Sequence, residues 1–240
     1  MNRNQVIGYS KAPGFFGARR GGAAHVASQS RRHASQAYND IVIDVETQIP
    51  LCMAQLPVFE TTRLILRDIT ERDAPAYERH FIDYEVIGTM SHIVPWPYPE
   101  NGVLRYIRTA VIPNQCMGQW VWGICLKSAP DELIGAIWLK RKGTPSNRGF
   151  WLGKKFWRQG IMTEAVKPVM DYAFDVLEFE KLILANAVGN PASRRIKENI
   201  GAVFLRTERA VYVNPAYTER EVWELTKERW KASKTSASGA

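Results

Sequence analysis

Apolar and polar residues repeat with two different periods along residues 59–230, and each period predicts one kind of element. Runs of β-branched, aliphatic and aromatic residues predict strands over residues 62–68, 120–126, 133–139, 149–153, 181–188, 203–205, 210–213 and 220–226. Helical spacing predicts helices from Thr70 through Tyr84, over 103–110, over 161–177 and over 192–200, the last ended by Gly201. Strands followed by alternating strands and helices predict an α+β or mixed α/β sheet with helices on its faces.

The stretch over residues 149–165 combines a short strand, a tight basic turn and the start of the central predicted helix. Apolar positions at 166, 169, 170, 173, 174 and 177 follow the helical period, so one face of this helix is expected to be buried. The first N–H groups of a helix lack internal partners, and Gly160 lets the backbone approach a ligand. The turn is therefore either a phosphate-binding site or an ordinary strand-to-helix connection.

The composition is that of an ordinary globular protein. Apolar residues make up 45% and charged residues 23% of the 240 residues, and no apolar run approaches the length of a membrane span. Cys52, Cys116 and Cys125 show no CxxC spacing, which disfavours a disulfide framework or a zinc site and favours a reducing, cytoplasmic compartment. The GxxxxGK[ST], GxSxG and HExxH motifs do not occur in the sequence.

The net charge of +8 is concentrated at the start of the chain, because residues 1–39 carry six basic residues and no acid. Residues 1–56 are predicted to be a disordered basic extension, with a targeting segment or an extended translation start as alternatives. An ordered domain is predicted over 57–230, and a disordered tail of small residues over 231–240. The remaining charge is too small to predict a dedicated nucleic-acid surface on the domain itself.

Five segments, taken in order, resemble the GNAT family of N-acetyltransferases, and within it the group similar to the RimJ/RimL ribosomal-protein N-terminal acetyltransferases. These segments are residues 59–67, 133–135, 153–165, 190–201 and 224–230. The resemblance covers about Phe59 to Trp230. It implies that family's fold, a central mixed and mostly antiparallel sheet flanked by helices.

The resemblance also implies acetyl-CoA as co-substrate and no metal. The family's loop pattern, Gln/Arg-x-x-Gly-x-Gly/Ala, aligns with residues 157–162, and Trp157 and Met162 both depart from its common form. The pyrophosphate would be held mainly by backbone N–H groups of Arg158, Gln159, Gly160, Ile161, Met162 and Thr163. The backbone of Trp151, Leu152 and Gly153 would pair with the pantetheine arm, and Asn190 would hydrogen-bond near it.

The catalytic groups implied by the resemblance are less complete. Many GNAT enzymes place a tyrosine acid four residues before the glycine that ends the short helix, and Lys197 occupies that position here. Ser193 is the substitute acid that the ribosomal-protein group implies, with a helix N-cap as its alternative role, and Lys197 is expected to be solvated. The predicted strands over 120–126 and 133–139 carry no carboxylate, so Glu85 and a water relay both remain open as the general base. His80 is expected to have a surface or packing role.

The leading hypothesis is therefore an acetyl-CoA-dependent N-acetyltransferase that acts on a protein N-terminus or a small amine by direct transfer in a ternary complex. A non-catalytic acyl-CoA-binding regulator or interaction module on the same fold is the alternative, because the usual tyrosine is missing. A third hypothesis uses the basic N-terminal arm to tether nucleic acid, with binding that weakens as salt rises. No membrane partner is expected.

Overall fold

A computed structural model describes residues 55–142 and 146–237, which form an eight-stranded sheet with helices against both faces. The strands are β1 (Phe59–Glu60), β2 (Leu64–Asp68), β3 (Gln119–Leu126), β4 (Ala129–Lys140), β5 (Arg148–Leu152), β6 (Lys181–Ala187), β7 (Val203–Arg209) and β8 (Glu219–Thr226). The α-helices are α1 (Ala74–Phe81), α2 (Tyr84–Ile87), α3 (Gly102–Tyr106), α4 (Ile161–Asp171), α5 (Pro191–Asn199) and α6 (Lys227–Ala237).

The sheet is mixed and mostly antiparallel, as predicted. Its strand order is β1-β2-β3-β4-β5-β6-β8-β7. Every neighbouring pair is antiparallel except β5 and β6, which are parallel and share the single register pair Arg148 and Leu184. The sheet therefore has one weakly paired seam near its middle.

Helices cover the two faces of the sheet through two hydrophobic clusters. The predicted apolar face of α4 and of the π-helical turn Tyr172–Val176 that continues it is buried against one face, with side chains of Val166, Val169, Met170, Ala173 and Phe174 fully enclosed. Residues of α1, α2 and α3 and the turns between them cover the other face. Burial of each of the larger of these side chains stabilises the folded state by about 1.5–3 kcal/mol. The positions of the helices on the sheet are therefore determined by their apolar faces.

Several boundaries differ from the predicted ones. The turn expected over 127–132 is mostly strand, since β4 begins at Ala129 and includes Asp131 and Glu132. Residues 210–213 form no strand, and Tyr212 makes only an isolated bridge with Ser91. The prediction of a disordered tail from residue 231 is wrong for residues 231–237, because α6 continues to Ala237.

Most of the predicted N-terminal extension, residues 1–54, lies outside the described residues. Leu56, at its end, is buried in the core, so packing begins before the predicted boundary. In residues 55–142 and 146–237, no helix is both long enough and apolar enough to traverse a lipid bilayer. The same residues contain no group of three or more His, Cys, Asp or Glu side chains arranged to hold a metal ion.

Candidate functional site

The main feature of the candidate site is the gap between β5 and β6, which we call the fork. Its base is the pair Arg148 and Leu184, and its two arms are the parts of β5 and β6 beyond that pair, together with the segments that follow them. The two strands meet where Arg148 lies opposite Leu184 and the Asn147 N–H donates to the Ile183 carbonyl at 2.8 Å. No further register pair joins them toward Leu152 within the described part of the chain. Parallel strands that pair only at one end leave backbone groups available along their facing edges.

The end of β5 presents its backbone to this fork. The Gly153 N–H donates to the Ile134 carbonyl at 2.9 Å, and Leu152 lies opposite Gly135, so the backbone groups of Leu152 itself point away from β4. The indole N–H of Trp157 donates to the Leu152 carbonyl at 2.7 Å. The Leu152 N–H is therefore the group that can bind a ligand lying beside β5.

The turn after β5 ends in an uncapped helix start. Gly160 has φ of 73° and Arg158 has φ of 61°, both in the left-handed region that glycine adopts most easily. The first helical bond of α4 runs from the Glu164 N–H to the Gly160 carbonyl at 3.0 Å, and no described side chain caps the helix. The N–H groups of residues 161–163 thus lack an intrahelical partner and are available to an anion.

Glu164 and Arg63 tether this turn to the edge of the sheet. The Glu164 carboxylate accepts hydrogen bonds from Thr61 Oγ1 at 2.6 Å, from the Arg63 N–H at 2.8 Å and from Arg63 Nε at 2.7 Å. Arg63 Nη1 in turn donates to the Gln159 carbonyl at 2.9 Å. Burial alone would raise the pKa of Glu164, but the hydrogen bonds from Thr61 and Arg63 outweigh it and the pKa is lowered. Sequence reasoning assigned Arg63 to the opening strand motif without predicting this contact.

The space above Gly160 is open. A side chain added there would meet only Arg63 Nη2, at 3.5 Å from the Cβ position. Gly153 differs, because a Cβ there would lie 2.9 Å from the His80 Cβ, so glycine is required for close packing. The structure thus brings the end of β5, the turn and the start of α4 together as one continuous backbone surface.

On the other arm of the fork, α5 begins just after β6. Asn190 is its N-cap, and its Oδ1 accepts the Ser193 N–H at 3.0 Å. The alternative role of Ser193 as the N-cap is therefore wrong, since Ser193 is the third helical residue. The Ser193 hydroxyl instead lies 2.9 Å from Lys197 Nζ.

Lys197 is buried, contrary to the expectation that it would be solvated. Its side chain is 1% exposed, and Nζ also donates to the Ser193 carbonyl at 3.3 Å. Burial lowers the pKa of Lys197 well below its usual value, and the nearby positive charge of Arg148 lowers it further, with Glu221 acting in the opposite direction. Burial likewise lowers the pKa of Arg148, to about 10. Two buried basic side chains therefore lie at the base of the fork.

Glu85, the carboxylate considered as a general base, and Glu132, which sequence analysis did not single out, both have partners in the structure. Glu85 pairs with Lys154 at 2.6 Å on the surface. Glu132, which the structure adds to β4, lies 2.8 Å from His80 Nε2, and this contact lowers the pKa of Glu132. His80 is nearly buried and packs edge-on against Phe156, a position consistent with the packing role expected for it.

Comparison with known proteins agrees with this architecture. The family described as the acetyltransferase (GNAT) domain matches residues 63–203. YoaA of Bacillus subtilis (strain 168), named an uncharacterized N-acetyltransferase, is 30% identical over 153 residues, which are 60% of this chain and 82% of YoaA. YdaF of the same organism, provisionally named a ribosomal N-acetyltransferase, is 36% identical over 89 residues, 36% of this chain and 48% of YdaF, so the match spans about half the length of that relative.

Solved structures share the fold. The RimL ribosomal α-N-protein acetyltransferase, in complex with coenzyme A, superposes with a TM-score of 0.58 at 16% identity. The superposition covers 71% of this chain and 98% of RimL. At that identity the likeness shows a common fold and leaves the chemistry to the residues of this chain.

Proposed function

Because the chain belongs to the GNAT acetyltransferase family, we propose that it transfers the acetyl group of acetyl-CoA to a primary amine. The observation that carries this proposal is the fork between β5 and β6, which opens toward the uncapped start of α4. An extended ligand with an anionic end can pair with the backbone of β5 in the fork and place its charge on the uncapped start of α4. Acetyl-CoA has that form.

The described residues fit this co-substrate. The N–H groups of the turn and of the first helical residues, Arg158 to Thr163, would hold the pyrophosphate, and the Arg158 guanidinium would add a charge-assisted contact. The Leu152 N–H would pair with the pantetheine arm, next to Trp151 and Gly153. The Asn190 Oδ1 is already used by the helix cap, so its amide N–H groups are the ones left for the pantetheine.

The reaction follows from this placement. A neutral acceptor amine attacks the thioester carbonyl, the C–S bond breaks, and the departing thiolate requires a proton. Ser193, 9% exposed on the arm opposite β5, is the proposed donor. Both substrates must be bound together for this direct transfer, so the proposed mechanism passes through a ternary complex.

A protein N-terminus is the acceptor class we favour. RimL, which shares the fold, is named for acting on the α-amino group of a ribosomal protein, and YdaF carries a ribosomal designation. A small amine remains the second acceptor class. A ribosomal acceptor would also fit the cytoplasmic location predicted from the cysteines.

Calorimetric titration of the full chain with acetyl-CoA tests the donor half of the proposal. The acceptor half is tested with synthetic peptides bearing free N-terminal Ala, Ser or Met, the same peptides with blocked N-termini, and a polyamine, with products identified by mass spectrometry. We expect binding of acetyl-CoA and acetylation of free α-amino groups only. Intersecting initial-rate lines would support the ternary complex, and parallel lines would contradict it.

Two other results would redirect the proposal. Binding of acetyl-CoA without turnover of any amine would favour the non-catalytic acyl-CoA-binding alternative. A folded chain that does not bind acetyl-CoA would refute the function.

A further inference from the structure

Lys197 bridges the two arms of the fork. Its Nζ lies 2.9 Å from Ser193 Oγ on α5 and 5.9 Å from the ring centre of Phe150 on β5. Phe150 is half-buried, and the Arg148 guanidinium lies 5.4 Å from the same ring. The Lys197 amine is therefore enclosed at the place where the proposed thioester would meet the chain.

No carboxylate is bonded to this amine among the described residues. Glu221 on β8 is the acid that acts electrostatically on Lys197, but its oxygens accept from Arg194 Nη1 at 2.7 Å and from Asn186 Nδ2 at 2.9 Å. Arg148 faces Lys197 from β5 and brings a second positive charge instead of compensating the first. A buried ammonium without a carboxylate partner is costly, and this cost favours release of its proton.

Resting on the function proposed above, we propose that Lys197 is a positioning and proton-relay residue for the leaving thiolate, acting through the Ser193 hydroxyl. Lys197 Nζ–H donates to Ser193 Oγ, so the hydroxyl hydrogen of Ser193 is directed away from Lys197 and is free to point to the sulfur of CoA. This pair replaces the tyrosine that many members of the family carry at position 197.

The proton transfers in this proposed step balance. As the C–S bond breaks, the Ser193 O–H transfers its proton to sulfur, and Ser193 oxygen takes a proton from the Lys197 ammonium. Lys197 becomes a neutral amine and regains its proton from water, which receives the proton lost by the acceptor nitrogen. No oxidant or further co-reactant is needed.

The electrostatic environment suits such a donor. An ordinary lysine ammonium is a weak acid compared with a thiol, whose usual pKa is about 8.5. Burial and the positive charge of Arg148 lower the pKa of Lys197 well below its usual value, while Glu221 acts in the opposite direction, so this ammonium is a stronger acid than an ordinary one. A stronger acid gives up its proton to the leaving group more readily.

The test compares wild type with Lys197→Met, Lys197→Arg, Ser193→Ala and the double variant Lys197→Met/Ser193→Ala. Methionine fills a similar volume without a charge, so folding should be retained. Lys167→Met, at an exposed position on α4, is the matched control. Acetyl-CoA affinity is measured by calorimetry, and kcat is measured across pH with saturating acetyl-CoA and a peptide with a free N-terminus.

We expect Lys197→Met to lower kcat by about 100-fold or more while the Kd for acetyl-CoA changes by less than about threefold. In the wild type, kcat should fall as pH rises through the pKa of Lys197, and this descending limb should be absent from Lys197→Met. Arginine keeps the charge but does not release its proton, so Lys197→Arg should not restore kcat. The double variant should be no slower than either single variant, because the two residues act as one unit.

The inference is overturned if Lys197→Met keeps the wild-type kcat and the same descending limb while the wild type transfers acetyl groups normally. It is also overturned if the losses of the two single variants multiply in the double variant. Absence of acetyl transfer by the folded wild type would instead refute the proposed function, and the relay with it. The activity-independent readout is the ¹³Cε resonance of Lys197, assigned by its loss in Lys197→Met, which should titrate well below the usual lysine range.

Discussion

A charge placed at Gly160 should weaken acetyl-CoA binding more than the same shape without the charge. Gly160 has φ of 73°, a conformation in which Asn and Asp are the best tolerated residues after glycine. Asn and Asp are nearly identical in shape, and a Cβ at position 160 makes only an ordinary contact, with Arg63 Nη2 at 3.5 Å. Gly160→Asn is therefore the control for Gly160→Asp.

The size of the effect follows from charge and distance. A carboxylate about 5 Å from a bound phosphate, at an effective dielectric constant of about 20, is repelled by about 3 kcal/mol. Arg63 would offset about 1 kcal/mol of this, because it is 46% exposed and already pairs with Glu164. The remaining 2 kcal/mol or so corresponds to a Kd about 30-fold weaker for Gly160→Asp than for Gly160→Asn. Backbone strain, of about 1–2 kcal/mol, affects both variants alike.

Calorimetry with acetyl-CoA at two salt concentrations is the assay, with thermal unfolding as the check on folding. The difference between the two variants should shrink at about 0.5 M salt, because exposed charges are screened over a few ångströms there. Equal Kd values for two folded variants at low salt would show that the phosphate does not lie at this helix start. The placement of the co-substrate would then be wrong even if the family assignment stands.

Three further predictions concern the rest of the chain. The stability contributed by Glu164 should be present above its ordinary pKa of 4.5 and lost as pH falls through its lowered pKa. Glu164→Gln should therefore lower the free energy of unfolding by about 1–2 kcal/mol at neutral pH. In urea titrations, the free energy of unfolding of this variant should also fall less steeply at acid pH than that of the wild type. The Cys125 thiol, whose pKa burial raises to about 11, should resist iodoacetamide at about pH 8 until the chain unfolds, and rapid labelling of folded protein would contradict its burial. A chain lacking residues 1–52 should keep its acetyl-CoA Kd within about twofold, because the fork and the turn lie beyond that segment, and a tenfold loss would contradict this.

The sequence predicted best those features that depend on local periodicity. The apolar positions from Val166 to Phe174 follow the helical repeat, and their burial against the sheet is confirmed. The start of β4 was missed because Pro130, Asp131 and Glu132 have the composition of a turn. In the structure Leu126 lies opposite Ala129, so Lys127 and Ser128 suffice to reverse the chain and the charged residues belong to the strand.

The base of the fork could not be predicted in the same way, because it depends on contacts across the sheet. Lysine is almost never fully buried without a partner, so a solvated Lys197 was the reasonable expectation from composition alone. Its burial arises where α5 meets Phe150 and Arg148 of β5, residues about 50 positions away in the sequence. The one local signal was the spacing of Ser193 and Lys197, which places both side chains on the same face of a helix. A lysine at the expected tyrosine position should therefore be interpreted together with the residue one helical turn before it, since a hydroxyl there accepts a hydrogen bond from the lysine and links it to the leaving group in the proposed proton relay.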